Sequence, residues 1–388
     1  MRIAYCIGAL NLGGIGTVAK NLSDYFEAKG DSFHIITTHH KGNNFENALL
    51  NGWKVKDVSN NEHSLKKRLI NTYDALLEYD VLINNHSDEV RFILPALPEK
   101  QVKISVQHNT TIASSKSLAY NAQYLNYWAG VSPSVIEVVK NYNPTINNLA
   151  LLPNGVQEFS FQKIKKFKKG TIRLGYVGRL DQKQKNIFLL PKLMLELEKA
   201  NYRVELYIAG DGEHKNKLKE KFNKMSPKGK VTIMGRIDSK EIDLLFQKCD
   251  FLLNPSFWEG LPMVVLEAMS SGLIPILSNI GPHKYAVGEE LSKTLITESN
   301  IASYVAVILK MRKNENLFIN YRGQIRKQWE NNFSIQAFGY NYEHLIERAK
   351  LEKSSNKQIG LDDIKLPFKE LIKTTYIYMF LQKMYRKV

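Results

Sequence analysis

Short apolar runs alternate with stretches of helical spacing along this chain, and the arrangement occurs twice. Residues 3–8, Ile-Ala-Tyr-Cys-Ile-Gly, form an apolar run followed by a Gly-rich turn and a helix-like stretch over 17–29. Residues 172–178, Ile-Arg-Leu-Gly-Tyr-Val-Gly, repeat this, with a polar loop and a helix-like stretch over 188–200 behind them. Strand-like runs at 33–37, 81–84 and 103–107 continue the first half; those at 204–209, 230–234, 251–254 and 274–277 continue the second. Strands separated by helices predict an α/β chain with parallel sheets covered on both faces. Ligands of such sheets bind beyond the carboxyl ends of the strands. We expect two doubly wound domains, 1–160 and 161–350, facing a central cleft. A basic, polar segment over 154–170 marks the boundary, and a helix over 335–350 ends the second domain.

At 388 residues the chain is too long for one hydrophobic core. No run approaches the ~18 apolar residues of a membrane span, and the start enters a strand pattern without a signal-peptide profile. Cys6 and Cys249 both lie in apolar runs, which suits buried thiols in a reducing cytosol. No Cys/His cluster has zinc spacing. The net charge of +16 belongs to the later part of the chain. Residues 1–160 are balanced, residues 161–173 hold six basic groups and no acid, and residues 350–388 hold nine basic groups against four acids. Such a charge suits a phosphorylated substrate, an anionic membrane surface or nucleic acid. No base-reading motif is present, so a nucleic-acid partner is not expected.

The strongest chemical signal is Asn254-Pro-Ser-Phe-Trp-Glu-Gly-Leu-Pro-Met-Val-Val-Leu-Glu267. Glu259 falls in a Gly/Pro loop. Pro262 is suited to the first position of a helix over 263–271, where a missing N–H costs nothing. Glu267 lies about one turn in, and helical side chains lean back toward the N-terminus. The free N–H groups between the two carboxylates form an anion site. Phosphate-binding amides flanked by two hydroxyl acceptors suit a nucleoside-diphosphate sugar. The structural alternative is a helix-dipole carboxylate and an ordinary loop charge.

Other candidates lie at strand ends. Gly178-Arg-Leu-Asp-Gln-Lys-Gln-Lys185 puts Arg179 and Lys185 where a diphosphate would sit and neutralise leaving-group charge; Lys183 reads as solvated. Gly210 suits a close turn, and Gly235, Arg236 and Ile237 could offer main-chain groups to a base. Gly13-Gly14 precedes the first helix, where glycine lets amides approach a ligand. The loop is not G-x-G-x-x-G, and Thr37-Thr38-His39-His40 supplies no acid after the second run, which argues against a dinucleotide site. His108 follows a strand, but His39, His40 and His86 share that kind of position.

In order along the chain, Gly13-Gly14, Asn154-Gly-Val156, Gly175-Tyr-Val-Gly-Arg179, Lys185-Asn186, Ala209-Gly-Asp-Gly212 and Glu259-Gly-Leu-Pro…Glu267-Ala-Met269 resemble the retaining GT-B glycosyltransferases of family 4. The resemblance covers roughly residues 1–350. It implies two Rossmann-like domains, an acceptor domain first and a donor domain second. It implies that Arg179 and Lys185 hold the diphosphate, with Gly14 capping it and Gly178 and Gly210 close by. Glu259 would accept hydroxyls of the transferred sugar and Glu267 those of the ribose. Gly260, Leu261, Pro262, Met263 and Val264 would line the donor, Gly235 to Ile237 the base, and His108 the reaction centre. The implied chemistry is front-face transfer with retention, from a UDP-sugar, with no cofactor and no metal. Three departures bear on the sugar contacts: Gln157 and Asn109 stand where the family often has Asp, and 278–285 lacks the usual Gly-Gly.

Residues 351–388 run from polar to apolar, aromatic and basic. We expect a helical tail that brings a cytoplasmic enzyme to the inner face of an anionic membrane; a helix docked on the protein is the alternative. The expected function is transfer of a hexosyl group to a growing, lipid-linked cell-envelope glycan such as a capsule polysaccharide. Rival readings are a nucleotide-sugar epimerase on the same fold and a non-catalytic sugar-nucleotide scaffold.

Overall fold

The computed structural model describes residues 1–11, 13–162, 166–298, 300–352 and 358–364. The expected tail helix lies outside the described residues, apart from a short turn at Leu361–Asp363. Among the described residues thirteen strands form two sheets. The first contains β1 (Arg2–Ile7), β2 (Ser32–Thr37), β3 (Val55–Asp57), β4 (Val81–Asn85), β5 (Val102–Gln107), β6 (Tyr127–Gly130) and β7 (Leu149–Leu151), in the order 3-2-1-4-5-6-7. The second contains β8 (Thr171–Val177), β9 (Arg203–Ala209), β10 (Lys230–Gly235), β11 (Phe251–Asn254), β12 (Ile274–Ser278) and β13 (Ile296–Thr297), in the order 10-9-8-11-12-13. Every strand pairing is parallel. In both sheets the strand order reverses beside the first strand, which is where doubly wound sheets open to ligands. The first β-α-β of each half sits at that point, as the repeated pattern at 3–8 and 172–178 predicts.

Four helices carry or brace the sites: α1 (Gly14–Ala28), α2 (Gln182–Lys185), α3 (Met263–Ser270) and α4 (Ile335–Leu351). Helix α1 begins three residues before the expected 17, because Gly13 caps it at φ 145°, a conformation other residues avoid. The chain divides into two compact units: Ser132–Ser134 with Pro153–Phe338, and the remainder. The expected boundaries at 160 and 350 thus fall at Leu152 and Phe338 instead. The reason is packing that spacing does not reveal. From Gly339 onward α4 belongs with the first unit, where Tyr25 donates to Glu343 at 2.9 Å and Lys29 pairs with the same carboxylate. A Cβ at Gly339 would lie 2.0 Å from the Tyr25 ring. Cys6 and Cys249 are buried free thiols, as expected. Among the described residues no helix is long and apolar enough to cross a membrane.

Candidate functional site

In the second unit the ends of β8, β9 and β10 meet backbone to backbone. Gly178 N–H donates to Ala209 O at 3.0 Å, and Gly210 N–H donates to Gly235 O at 2.6 Å. A Cβ on Gly210 would lie 1.9 Å from Gly178 O, so only glycine allows the approach. Behind Gly178 the exposed Arg179 is followed by α2, capped by Asp181, whose carboxylate accepts from Lys183 N–H at 2.9 Å and Gln184 N–H at 3.3 Å. This single turn aims Lys185 inward, where it forms an ion pair with Glu259. Both side chains are largely buried, at 16% and 9% exposure. Lys183 is solvent-facing, as expected.

Gln184 was not expected to matter. Its Oε1 accepts from the Arg179 guanidinium at 2.6 Å, its Nε2 donates to Trp258 O at 3.1 Å, and its backbone O accepts from Phe257 N–H at 2.8 Å. It therefore ties the cation loop to the carboxylate loop. The motif spacing carries no signal for this, because the two segments meet only through the sheet. Pro262 caps α3 at ψ 107° instead of occupying its first turn. The N–H groups of Met263 and Val264 still precede the first helical bond. Leu261 is buried, and Gly260 O accepts from Ser132 Oγ at 2.7 Å. A buried His283, also unforeseen, has Nδ1 3.0 Å from Ser278 O, and burial lowers its imidazole to about 4. Its signal was the Gly-Pro that starts its helix at 281.

Glu267 is half-buried in α3, and desolvation raises its carboxyl to about 7. A folded-state value above the unfolded one means that stability present at low pH is lost as pH rises toward and through 7. Glu267→Gln removes that loss. Thermal and urea unfolding should show the variant gaining on the wild type by about 1–2 kcal/mol between pH 5 and pH 8, after discounting for partial water access. A gap that does not widen with pH would exclude the desolvated carboxyl.

Gly235, at φ 76°, ends β10, with Arg236 exposed and Ile237 half-buried beside it. The predicted second-unit residues thus gather at the carboxyl edges of β8 to β11. Two predicted residues belong to the first unit. Gly14 opens α1, and His108 directly follows β5 with Nε2 2.9 Å from Asn85 Nδ2. Burial, and then the neighbouring His86, lower the His108 imidazole to about 3, so it is neutral at physiological pH. Among the described residues, Asp181, Glu213 and His214 could together reach a metal ion. Asp181 is already occupied as the cap of α2.

Residues 157–332 match the family described as Glycosyl transferases group 1. The UDP-Gal:alpha-D-GlcNAc-diphosphoundecaprenol alpha-1,3-galactosyltransferase of Escherichia coli is 28% identical over 206 residues, covering 48% of this chain and 51% of that protein. Protein CapJ of Staphylococcus aureus is 26% identical, covering 50% of this chain and 52% of its own length. The chain thus spans about half the length of these curated relatives. A mutant of S. aureus TarM, solved with fondaparinux, alpha-GlcNAc-glycerol and UDP, superposes with a TM-score of 0.73 at 14% identity, over 89% of this chain and all of that one. Over 157–332 the second unit is thus similar to the glycosyl transferases group 1 family, and the chain has the two-sheet GT-B fold.

Proposed function

We propose that this protein is a glycosyltransferase that moves a sugar from a UDP-sugar to a lipid-linked cell-envelope glycan with retention. The observation that carries this reading is the buried Lys185–Glu259 pair beside Arg179 and the start of α3. Arg179 and Lys185 are suited to the two phosphates, Glu259 to hydroxyls of the sugar and Glu267 to the ribose. The bond from the sugar's C1 to the diphosphate breaks, and the acceptor oxygen bonds C1 on the same face. The acceptor proton passes to a departing phosphate oxygen. The cations stabilise the charge that develops on the leaving group, the task a metal performs in other enzymes. The similarity to an E. coli enzyme named for a UDP-Gal donor and a diphosphoundecaprenol acceptor supports the donor and acceptor classes.

Calorimetric titration with UDP and with GDP tests the reading. UDP is expected to bind and GDP to bind at least tenfold more weakly; failure of both to bind would sink it. Peripheral membrane association on the cytoplasmic side belongs to the same proposal, through the basic residues after 350. Deleting residues 360–388 without loss of binding to anionic vesicles would remove that part.

A further inference from the structure

In the second unit the loop that carries Glu259 runs from the end of β11 to α3, and hydrogen bonds hold its backbone from two sides. From α2, Gln184 accepts from Phe257 N–H and donates to Trp258 O. The side chains of Phe257 and Trp258 are 45% and 44% exposed, so packing fixes this stretch only weakly. From within the unit, Ser278, the last residue of β12, donates from Oγ to Ser256 O, three residues before Glu259. Ser256 Oγ in turn donates to Asn254 Oδ1 at 2.6 Å. His283, in the helix Gly281–Val287, completes the chain, with Nδ1 3.0 Å from Ser278 O and 3.2 Å from Ser278 Oγ.

A carbonyl oxygen only accepts, so Nδ1 carries the hydrogen of the neutral ring. The hydrogens then run in one direction, from His283 to Ser278, from Ser278 to Ser256 and from Ser256 to Asn254. All four residues are buried. A buried polar chain whose members are matched in this way rigidifies what it joins. The lone pair of the ring lies on Nε2, which is buried without a partner. An apolar ring of like size would fill the place without stranding a lone pair, so the Nδ1 donor is what the imidazole adds. Glu259 and Lys185 are the charges that act on this ring, yet His283 bonds to neither. The stretch 278–285, which lacks the Gly-Gly of the family pattern, thus supplies the inner support of the Glu259 loop.

We propose that His283 is a positioning residue for the donor sugar: acting through Ser278 and Ser256, it fixes the loop that presents the Glu259 carboxylate. The inference rests on the glycosyltransferase reading and extends it to a side chain outside the Glu259–Glu267 motif. Arg179 and Glu267 lie on other segments, so loss of the His283 bond is felt in recognition of the sugar and not in that of the nucleotide.

Three variants of the full-length protein test this. His283→Phe removes the donor at similar ring size, His283→Asn keeps an N–H near the place of Nδ1, and Ser278→Ala removes the link to Ser256. Calorimetry gives the affinity for UDP, and UDP release from UDP-glucose, UDP-galactose and UDP-N-acetylglucosamine gives kcat/KM for the best of the three. His283→Phe and Ser278→Ala are expected to lower kcat/KM by about tenfold or more, since misplacing a group by about 1 Å costs up to ~10² in rate. UDP affinity is expected to stay within about twofold of wild type, and His283→Asn to recover most of the lost rate. Ser278→Ala is the smaller change and decides the matter should His283→Phe not fold. An unchanged kcat/KM in Ser278→Ala, a loss of UDP affinity equal to the loss of rate, or no recovery in His283→Asn would overturn the proposal. A wild type that neither binds UDP nor releases it from any of the three donors removes the glycosyltransferase reading itself, and that result is read before any variant is made.

Discussion

Glu259→Leu is expected to abolish transfer and, by itself, to lower stability by about 3–5 kcal/mol, because it strands the Lys185 ammonium in a largely buried position. Lys185→Met should cost a similar amount by stranding Glu259. The double variant Lys185→Met/Glu259→Leu should recover most of that stability, since a buried ion pair replaced by apolar groups of like size is often neutral or better. It should still show no turnover. Urea unfolding of the four proteins, with UDP release from a UDP-sugar measured in parallel, separates the two effects. Single variants that cost less than about 1 kcal/mol would show the pair to be an ordinary solvated bridge. The pair also implies an exchange on donor binding. On the proposed roles, Lys185 would turn from Glu259 to a phosphate and free Glu259 for sugar hydroxyls, which would couple diphosphate and sugar recognition through one contact.

Arg179→Ala should reduce transfer by about 10²–10³, the effect of removing one preorganised donor of charge stabilisation, with no measurable change in fold. Its side chain is exposed and donates to Gln184, which keeps its own bonds to the 257–258 backbone. Arg179→Lys should restore only part of the rate, because an ammonium cannot reproduce a fork of donors toward both Gln184 and a phosphate. Steady-state rates at saturating UDP-sugar, with UDP affinity from calorimetry, check this. A rate within threefold of wild type in Arg179→Ala would remove Arg179 from the site.

Much of the second-unit site was legible because its residues follow strands. A short apolar run ending in glycine locates a strand's carboxyl edge, so Gly178, Gly210 and Gly235 could be placed from the sequence. The first unit was less legible. Four histidines follow its strands, and spacing could not separate His108 from His86; only the 2.9 Å approach of His108 Nε2 to Asn85 Nδ2 sets it apart. Pro262 misled by one residue because proline's fixed φ suits both a helix cap and a first turn, and ψ, which the sequence does not constrain, decides between them.

The chain alone determined two parallel α/β sheets, the carboxyl-edge position of Arg179, Lys185, Glu259 and Glu267, and the buried state of both cysteines. These depend on local periodicity and on glycine's conformational range, which neighbouring residues fix. Tertiary structure alone decided that Lys185 meets Glu259, that Gln184 joins their loops, and that α4 leaves the second unit at Gly339. It also decided that Ser278 reaches from the end of β12 to the backbone of the Glu259 loop. Each of these is a contact between segments far apart in sequence, set by how strands order in a sheet and how closely backbones pack, which no local pattern encodes.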